Sequence, residues 1–168
     1  DLRILKRFRE DRETLAARVS SGFEEAQYRL TAEALGLSAE RVEEAVQRWI
    51  HQRPILFLRK YRTPGIKEWM EALRKEGVRL GVYSEYPALE KIKALDLEVE
   101  EAVCSTDPDV DAFKPDPKGL RVVLQRLGVE PTRALYVGDR DDRDRPCAEA
   151  AGTAYLRVED LPVIFPEW

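Results

Sequence analysis

Apolar residues change their period once along this chain, near residue 63. Before that point they recur at helical spacing. Leu2, Leu5, Phe8 and Leu15 stand among Arg and Glu, and Phe23, Ala26, Leu30, Ala34 and Leu35 repeat the pattern. Gly36, tolerant of the left-handed conformation, predicts the end of the second helix. Ser38 predicts the cap of a third, followed by Arg41, Val42, Ala45, Val46 and Trp49. Gln52-Arg-Pro54 closes it, because proline removes a donor and pushes its predecessor out of the helical region. Residues 1–62 therefore read as a helical module without a strand.

Beyond Thr63-Pro-Gly65, helical and strand-like runs alternate. A helix over 66–76, stopped by Gly77, precedes an apolar run over 78–83. A helix over 87–95 precedes a short strand over 101–104. A helix over 116–127, closed by Gly128, precedes a strand over 134–137, and a helix over 144–151, closed by Gly152, precedes a strand over 154–158. Four such alternations predict an α/β fold over 63–168: a Rossmann-like parallel sheet flanked by helices, with right-handed crossovers.

Composition narrows the classes open to this fold. At 168 residues, 43% hydrophobic and 36% charged, the chain reads as globular and not disordered. No apolar run is long enough to span a bilayer, and no signal peptide opens the sequence. A net charge of −4 gives no reason to expect a nucleic-acid or membrane surface. Cys104 and Cys147 are far apart, without metal-ligand spacing, which predicts reduced thiols. The expectation is a cytoplasmic monomer or homodimer.

Candidate chemistry lies at the strand ends, where open α/β sheets bind ligands. The first strand ends in Ser84. After the second comes the polar loop Ser105–Pro117, carrying Lys114. The third runs into Gly138 and then Asp139, Asp141, Asp142 and Asp144 within six positions. A hydroxyl, an ammonium and several carboxylates on one rim suit a phosphate ester with a divalent cation. Ser84 and the backbone N–H groups after it can donate to phosphoryl oxygens. Lys114 can neutralise one of those oxygens. Mg²⁺ takes one or two carboxylates plus water and phosphate, which makes Asp139 the direct ligand, with Asp144 or Asp142 as the second acid. A solvated loop neutralised by Arg140, Arg143 and Arg145 is the plainer alternative. A calcium loop fails on spacing: counting from Asp139, Asp144 stands where glycine is needed and Ala150 where Glu is needed.

The order of these features resembles the haloacid dehalogenase-like hydrolase superfamily. The similarity covers about residues 64–158 and rests on Thr-Pro-Gly65, Gly-Val-Tyr-Ser84, Phe-Lys-Pro-Asp-Pro117 and Val-Gly-Asp-Arg140 followed by Ala148-Glu-Ala-Ala-Gly152. The resemblance implies that residues 1–62 are a mobile helical cap and 63–168 the core. It implies that Ser84 and Lys114 are catalytic and phosphate-binding, that Glu85 borders the substrate, and that Asp139 and Asp144, with Asp142 beside them, hold Mg²⁺. The implied enzyme is a Mg²⁺-dependent phosphatase acting on a small phosphorylated metabolite. Arg53, Arg59, Lys60, Tyr61 and Arg62 are candidates for substrate choice or a solvated basic face, and His51 reads as a surface residue. Glu85-Tyr-Pro87 departs from the small residues usual after the second-motif hydroxyl.

The family's nucleophile comes from an Asp-x-Asp-x-Thr/Val sequence on a strand near the N-terminus, and these residues contain none there. Asp107-Pro-Asp109 and Asp109-Val-Asp111 stand in the wrong loop. In the family the missing strand lies between those that end here in Ser84 and Asp139. The sequence opens Asp1-Leu-Arg-Ile, without Met and already helical, so the expectation is a piece of a longer polypeptide whose upstream segment supplies strand and nucleophile. The alternative is a non-catalytic relative that keeps a phosphate or metal site for binding.

Overall fold

A computed structural model of the chain describes residues 1–15 and 18–161, in two compact units, Asp1–Lys60 and Tyr61–Trp168. The first unit packs α1 (Leu2–Leu15), α2 (Phe23–Leu35) and α3 (Ala39–Val46) through Ile4, Phe8, Leu15, Phe23, Val42 and Val46, all buried. The punctuation acts where the sequence puts it. Gly36 ends α2 at φ 63°, and Ser38 Oγ accepts the Arg41 N–H at 3.2 Å. α3 then continues into a π-helical turn, Gln47–Gln52, in which the Arg53 N–H reaches the Arg48 carbonyl at 2.9 Å. A short α4 (Ile55–Leu58) follows.

One helix face differs from the periodicity reading. Leu30 is half-buried and Ala34 exposed, whereas Gln27 and Thr31 are fully buried. The cause is polar. Asp11 on α1, 2% exposed, accepts from Thr31 Oγ1 at 2.9 Å, from Arg7 Nε at 3.0 Å and from Arg18 Nη1 at 3.2 Å. Gln27 Nε2 donates to the Phe8 carbonyl at 2.6 Å. Buried polar groups need such partners, and meeting them turns the 27–31 stripe of α2 toward α1.

The second unit runs α5 (Ile66–Lys75), β1 (Gly81–Ser84), α6 (Leu89–Ala94), β2 (Glu101–Cys104), α7 (Lys118–Leu127), β3 (Leu135–Gly138), α8 (Asp144–Ala151) and β4 (Ala154–Arg157). β1 and β2 are parallel, with Gly81 opposite Glu101 and Ser84 opposite Cys104. β3 and β4 are parallel, with Leu135 opposite Ala154 and Gly138 opposite Arg157. The predicted α/β alternation is present. Among the described residues, however, the strands form two separate two-stranded sheets: β1 and β3 share no ladder. β1 also starts later than the apolar run from Val78. Its partner begins only at Glu101, and the Leu80 N–H is taken by the Glu100 side chain at 2.7 Å.

Tyr83, Val103, Val123, Leu124 and Cys147 are among the residues of a single buried cluster. The loop after β2, polar by composition, is anchored in that core: Val110, Ala112 and Phe113 are buried, and Asp107 Oδ2 accepts the Cys104 N–H at 2.9 Å. Space requires glycine at positions 119 and 138, among others. A Cβ on Gly119 would stand 2.1 Å from the Tyr83 ring, and one on Gly138 would stand 2.5 Å from Asp144 Oδ2. No described helix is long and apolar enough to cross a membrane.

Candidate active site

Lys114 and Asp144 meet although thirty positions separate them. Lys114 Nζ donates to Asp144 Oδ1 at 2.8 Å, with the two side chains 13% and 4% exposed. Asp144 sits at the start of α8, and the sharp turn before it folds back onto its carboxylate. The N–H groups of Asp139 and Arg140 donate to Oδ2 at 3.1 and 3.0 Å, and the Tyr136 hydroxyl donates to Oδ1 at 3.2 Å. Gly138 leaves the room this needs. Burial opposes ionisation of Asp144, but the bonds from Lys114, Arg140 and Tyr136 outweigh it and hold its pKa below the ordinary value. The Tyr136 phenol moves the other way: burial and the charge on Asp144 raise its pKa, so it remains a donor.

Asp144 thus ties the turn after β3 to the Lys-Pro loop, and the turn presents Asp139 at the end of the strand, exposed. Asp142 is exposed and engaged by Arg140, at 2.8 and 3.2 Å, which lowers its pKa. Asp141 pairs with Arg145 at 3.1 Å and Arg157 at 3.5 Å. Of the four clustered acids, Asp144 therefore meets Lys114, Asp141 and Asp142 meet arginines, and Asp139 stands at the strand end. Ser84 Oγ accepts the Tyr86 N–H at 3.2 Å. Glu85 faces Arg143 at 3.7 Å, both largely covered, and Arg143 Nη1 also donates to the Lys114 carbonyl at 3.0 Å. Arg143 so links the loops after β1, β2 and β3.

Three site residues escaped the sequence reading. Tyr83 and Tyr136 present their rings to Lys114 Nζ at 5.2 and 5.6 Å from the ring centres, and Arg143 makes the link just described. The tyrosines lay inside strand runs, where an aromatic residue reads as core. The signal available was a Tyr one position before Ser84 and three positions before Asp139. Of the basic residues near the junction, Arg62 donates to the Leu95 carbonyl at 2.7 Å and Arg53 lies over the Trp49 ring at 5.1 Å.

Whether this donor set fits a hard divalent cation turns on Asp139 and Asp144. Among the described residues, no group of three His, Cys, Asp or Glu side chains comes together as an all-protein cage would require. Mg²⁺ does not need one, since it keeps several waters and takes one or two carboxylates with substrate oxygens. Asp139 has the exposure of a direct ligand. Asp144, already accepting four hydrogen bonds, fits a supporting place.

Residues 3–152 match the haloacid dehalogenase-like hydrolase family. Glyceraldehyde 3-phosphate phosphatase from Methanopyrus kandleri is 34% identical over 113 residues, covering 64% of this chain and 47% of that protein. N-acetylmuramic acid 6-phosphate phosphatase from Pseudomonas aeruginosa is 32% identical over 108 residues, covering 58% and 47%. The chain spans about half the length of these curated relatives. The crystal structure of a HAD phosphatase from Thermococcus onnurineus aligns with a TM-score of 0.52 at 25% identity, over 76% of this chain and 73% of that one. By its family match and by its fold, the chain belongs to the haloacid dehalogenase-like hydrolases.

Proposed function

We propose that the protein containing this chain is a Mg²⁺-dependent phosphatase acting on a small phosphorylated metabolite. The observation that carries the reading is one juxtaposition: a nearly buried Lys114–Asp144 pair at the strand ends, with Asp139 exposed on the same turn. The names of the relatives add support, since both refer to phosphatases of small phosphorylated compounds.

The roles follow from each group's chemistry. Lys114 neutralises a phosphoryl oxygen and keeps its position through Asp144. Ser84 Oγ lies at the end of β1 and donates to a second oxygen. Asp139 holds the cation, with Asp144 fixing the turn behind it and Asp142 as the competing acid. Bound there, Mg²⁺ would supply charge stabilisation to the phosphoryl group in flight. Glu85 borders the substrate entrance and is steadied by Arg143. The nucleophile is an aspartate supplied from outside residues 1–168. It takes the phosphoryl group from the ester oxygen while a second aspartate two residues later protonates the departing alkoxide. That second aspartate then takes a proton from water, which attacks the phosphorus, breaks the phospho-aspartate bond and releases inorganic phosphate. Residues 1–62 act as a cap that limits water at that step.

The test is phosphate release from a panel of phosphate monoesters by the protein of the complete reading frame, with and without Mg²⁺. Turnover that needs the metal and is abolished by Asp139→Asn supports the reading. Binding of inorganic phosphate without turnover of any ester, in a frame lacking the aspartate pair, would favour the non-catalytic alternative.

A further inference from the structure

The ammonium of Lys114 has an unusual set of neighbours. Among the described residues its hydrogen-bond acceptor is Asp144 Oδ1, at 2.8 Å. Its other close neighbours are aromatic: the Tyr83 ring centre at 5.2 Å and the Tyr136 ring centre at 5.6 Å. Both distances lie within the range over which a cation is drawn to the negative face of a ring.

These rings are themselves held in place. Tyr83 is buried, its hydroxyl donates to the Ala112 carbonyl at 3.2 Å and accepts from Ser105 Oγ at 3.1 Å, and Gly119 leaves the space its ring fills. Tyr136 is fixed through its hydroxyl to Asp144 and lies against Tyr155, with 6.4 Å between ring centres. Arg145 covers the Tyr155 ring at 4.7 Å, so two adjoining rings lie between the Arg145 guanidinium of α8 and the Lys114 ammonium.

The chemical consequence concerns the donors of Lys114. An ammonium carries three N–H groups. A second carboxylate beside it would take one of them and cancel the charge. An aromatic face attracts the charge without using a lone pair, and so leaves N–H groups for an incoming anion. We infer that Tyr83 and Tyr136 are positioning residues, an aromatic cradle that holds the Lys114 ammonium at the rim with donors to spare for a phosphoryl oxygen. This inference rests on the phosphatase reading and goes further, because it assigns work to two residues that act through Lys114.

The experiment uses the protein of the complete reading frame, para-nitrophenyl phosphate as substrate and inorganic phosphate as competitive inhibitor. Tyr136→Leu removes both ring and hydroxyl. It should lower kcat/KM about tenfold and weaken inhibition by phosphate by a similar factor. Tyr136→Phe keeps the ring and should recover most of both losses. Mono-, di- and trifluorophenylalanine at position 136 keep the shape but progressively drain the ring's negative face. They should weaken phosphate inhibition stepwise while the denaturation midpoint holds. This series also covers the case in which Tyr136→Leu fails to fold. Phosphate inhibition indifferent to fluorination would overturn the cradle, as would a Phe variant no better than Leu. Full activity in Lys114→Ala would overturn the role of Lys114 on which the cradle rests, whereas no hydrolysis of any phosphate monoester by the unsubstituted protein would instead overturn the phosphatase reading beneath it.

Discussion

The protein buries two aspartates almost equally, and they do different things. Asp11, 2% exposed, is held by side chains of its own helical unit: Arg7 one turn earlier, Arg18, and Thr31 across from α2. Asp144, 3% exposed, is held by two backbone N–H groups of the turn it closes, by a phenol and by a lysine. The arginines of Asp11 keep about two fifths of their side chains in solvent. The lysine of Asp144 does not, and it is the only cation on that acid among the described residues. The first arrangement fixes how two helices meet. The second fixes a loop, and its cation faces the strand ends where an α/β fold binds ligands. Burial alone does not separate the two; the partners do.

The largest difference should appear on truncation. Asp144→Ala strands an ammonium that is 13% exposed, and removing one partner of a buried pair costs about 3–5 kcal/mol. Urea denaturation of the complete protein should show a loss of that order, together with loss of phosphate release. Asp11→Ala should cost less, because Arg7 and Arg18 can return to water and the penalty falls mainly on Thr31, whose buried hydroxyl loses its acceptor, about 1–3 kcal/mol. Its turnover per folded molecule should fall far less than that of Asp144→Ala, since Asp11 is held within its own helical unit and touches none of the strand-end groups. Equal losses of activity in the two variants would erase the distinction drawn here.

That the sequence betrays one aspartate and hides the other has a physical reason. Asp144 follows an apolar strand and a glycine, a break in polarity that marks a strand end. Asp11 stands among Arg and Glu in an amphipathic helix, where one more charge carries no contrast. The spacing did hold a clue: Phe8, Asp11 and Leu15 share a helical face, and Phe8 and Leu15 are both buried. Elements with strong punctuation were legible, as in the cap at Ser38, the stop at Gly36 and β2 over its full length. What pairing decides was not. The start of β1 depends on where Glu101 lies, and the two-sheet arrangement depends on which strands stand between β1 and β3. The π-turn of Gln47–Gln52 differs from an α-helix by one residue per hydrogen bond, which apolar spacing over six residues does not resolve.

Acid provides a gentler probe. Asp144 has its folded pKa below the unfolded value of about 3.9, so the unfolded chain takes up the proton first as pH falls. The stability it contributes is present in full above that value and disappears as pH drops through the folded pKa. Stability measured from pH 6 downward should hold until about pH 4 and then decline through this group. Asp144→Asn should flatten that part of the curve. An unchanged acid limb would mean that other carboxylates, and not Asp144, set the acid sensitivity of the core unit.

The smallest expected effect tests the finest part of the site. Asp142 is exposed and bound only to its neighbour Arg140 among the described residues, so Asp142→Asn should leave the denaturation midpoint where it is. Its consequence for metal use separates two assignments. If Asp139 is the direct ligand and Asp144 its support, Asp142→Asn leaves the Mg²⁺ concentration for half-maximal phosphate release nearly unchanged, whereas Asp139→Asn abolishes the response. If Asp142 exchanges Arg140 for the cation on binding, Asp142→Asn raises that concentration severalfold and Arg140→Ala lowers it, since the competing guanidinium is gone. The arginine variant makes the result decisive, because a purely structural role for the pair predicts no metal shift in either mutant. A surface ion pair that contributes little to folding can still govern how readily an acid is released to a metal.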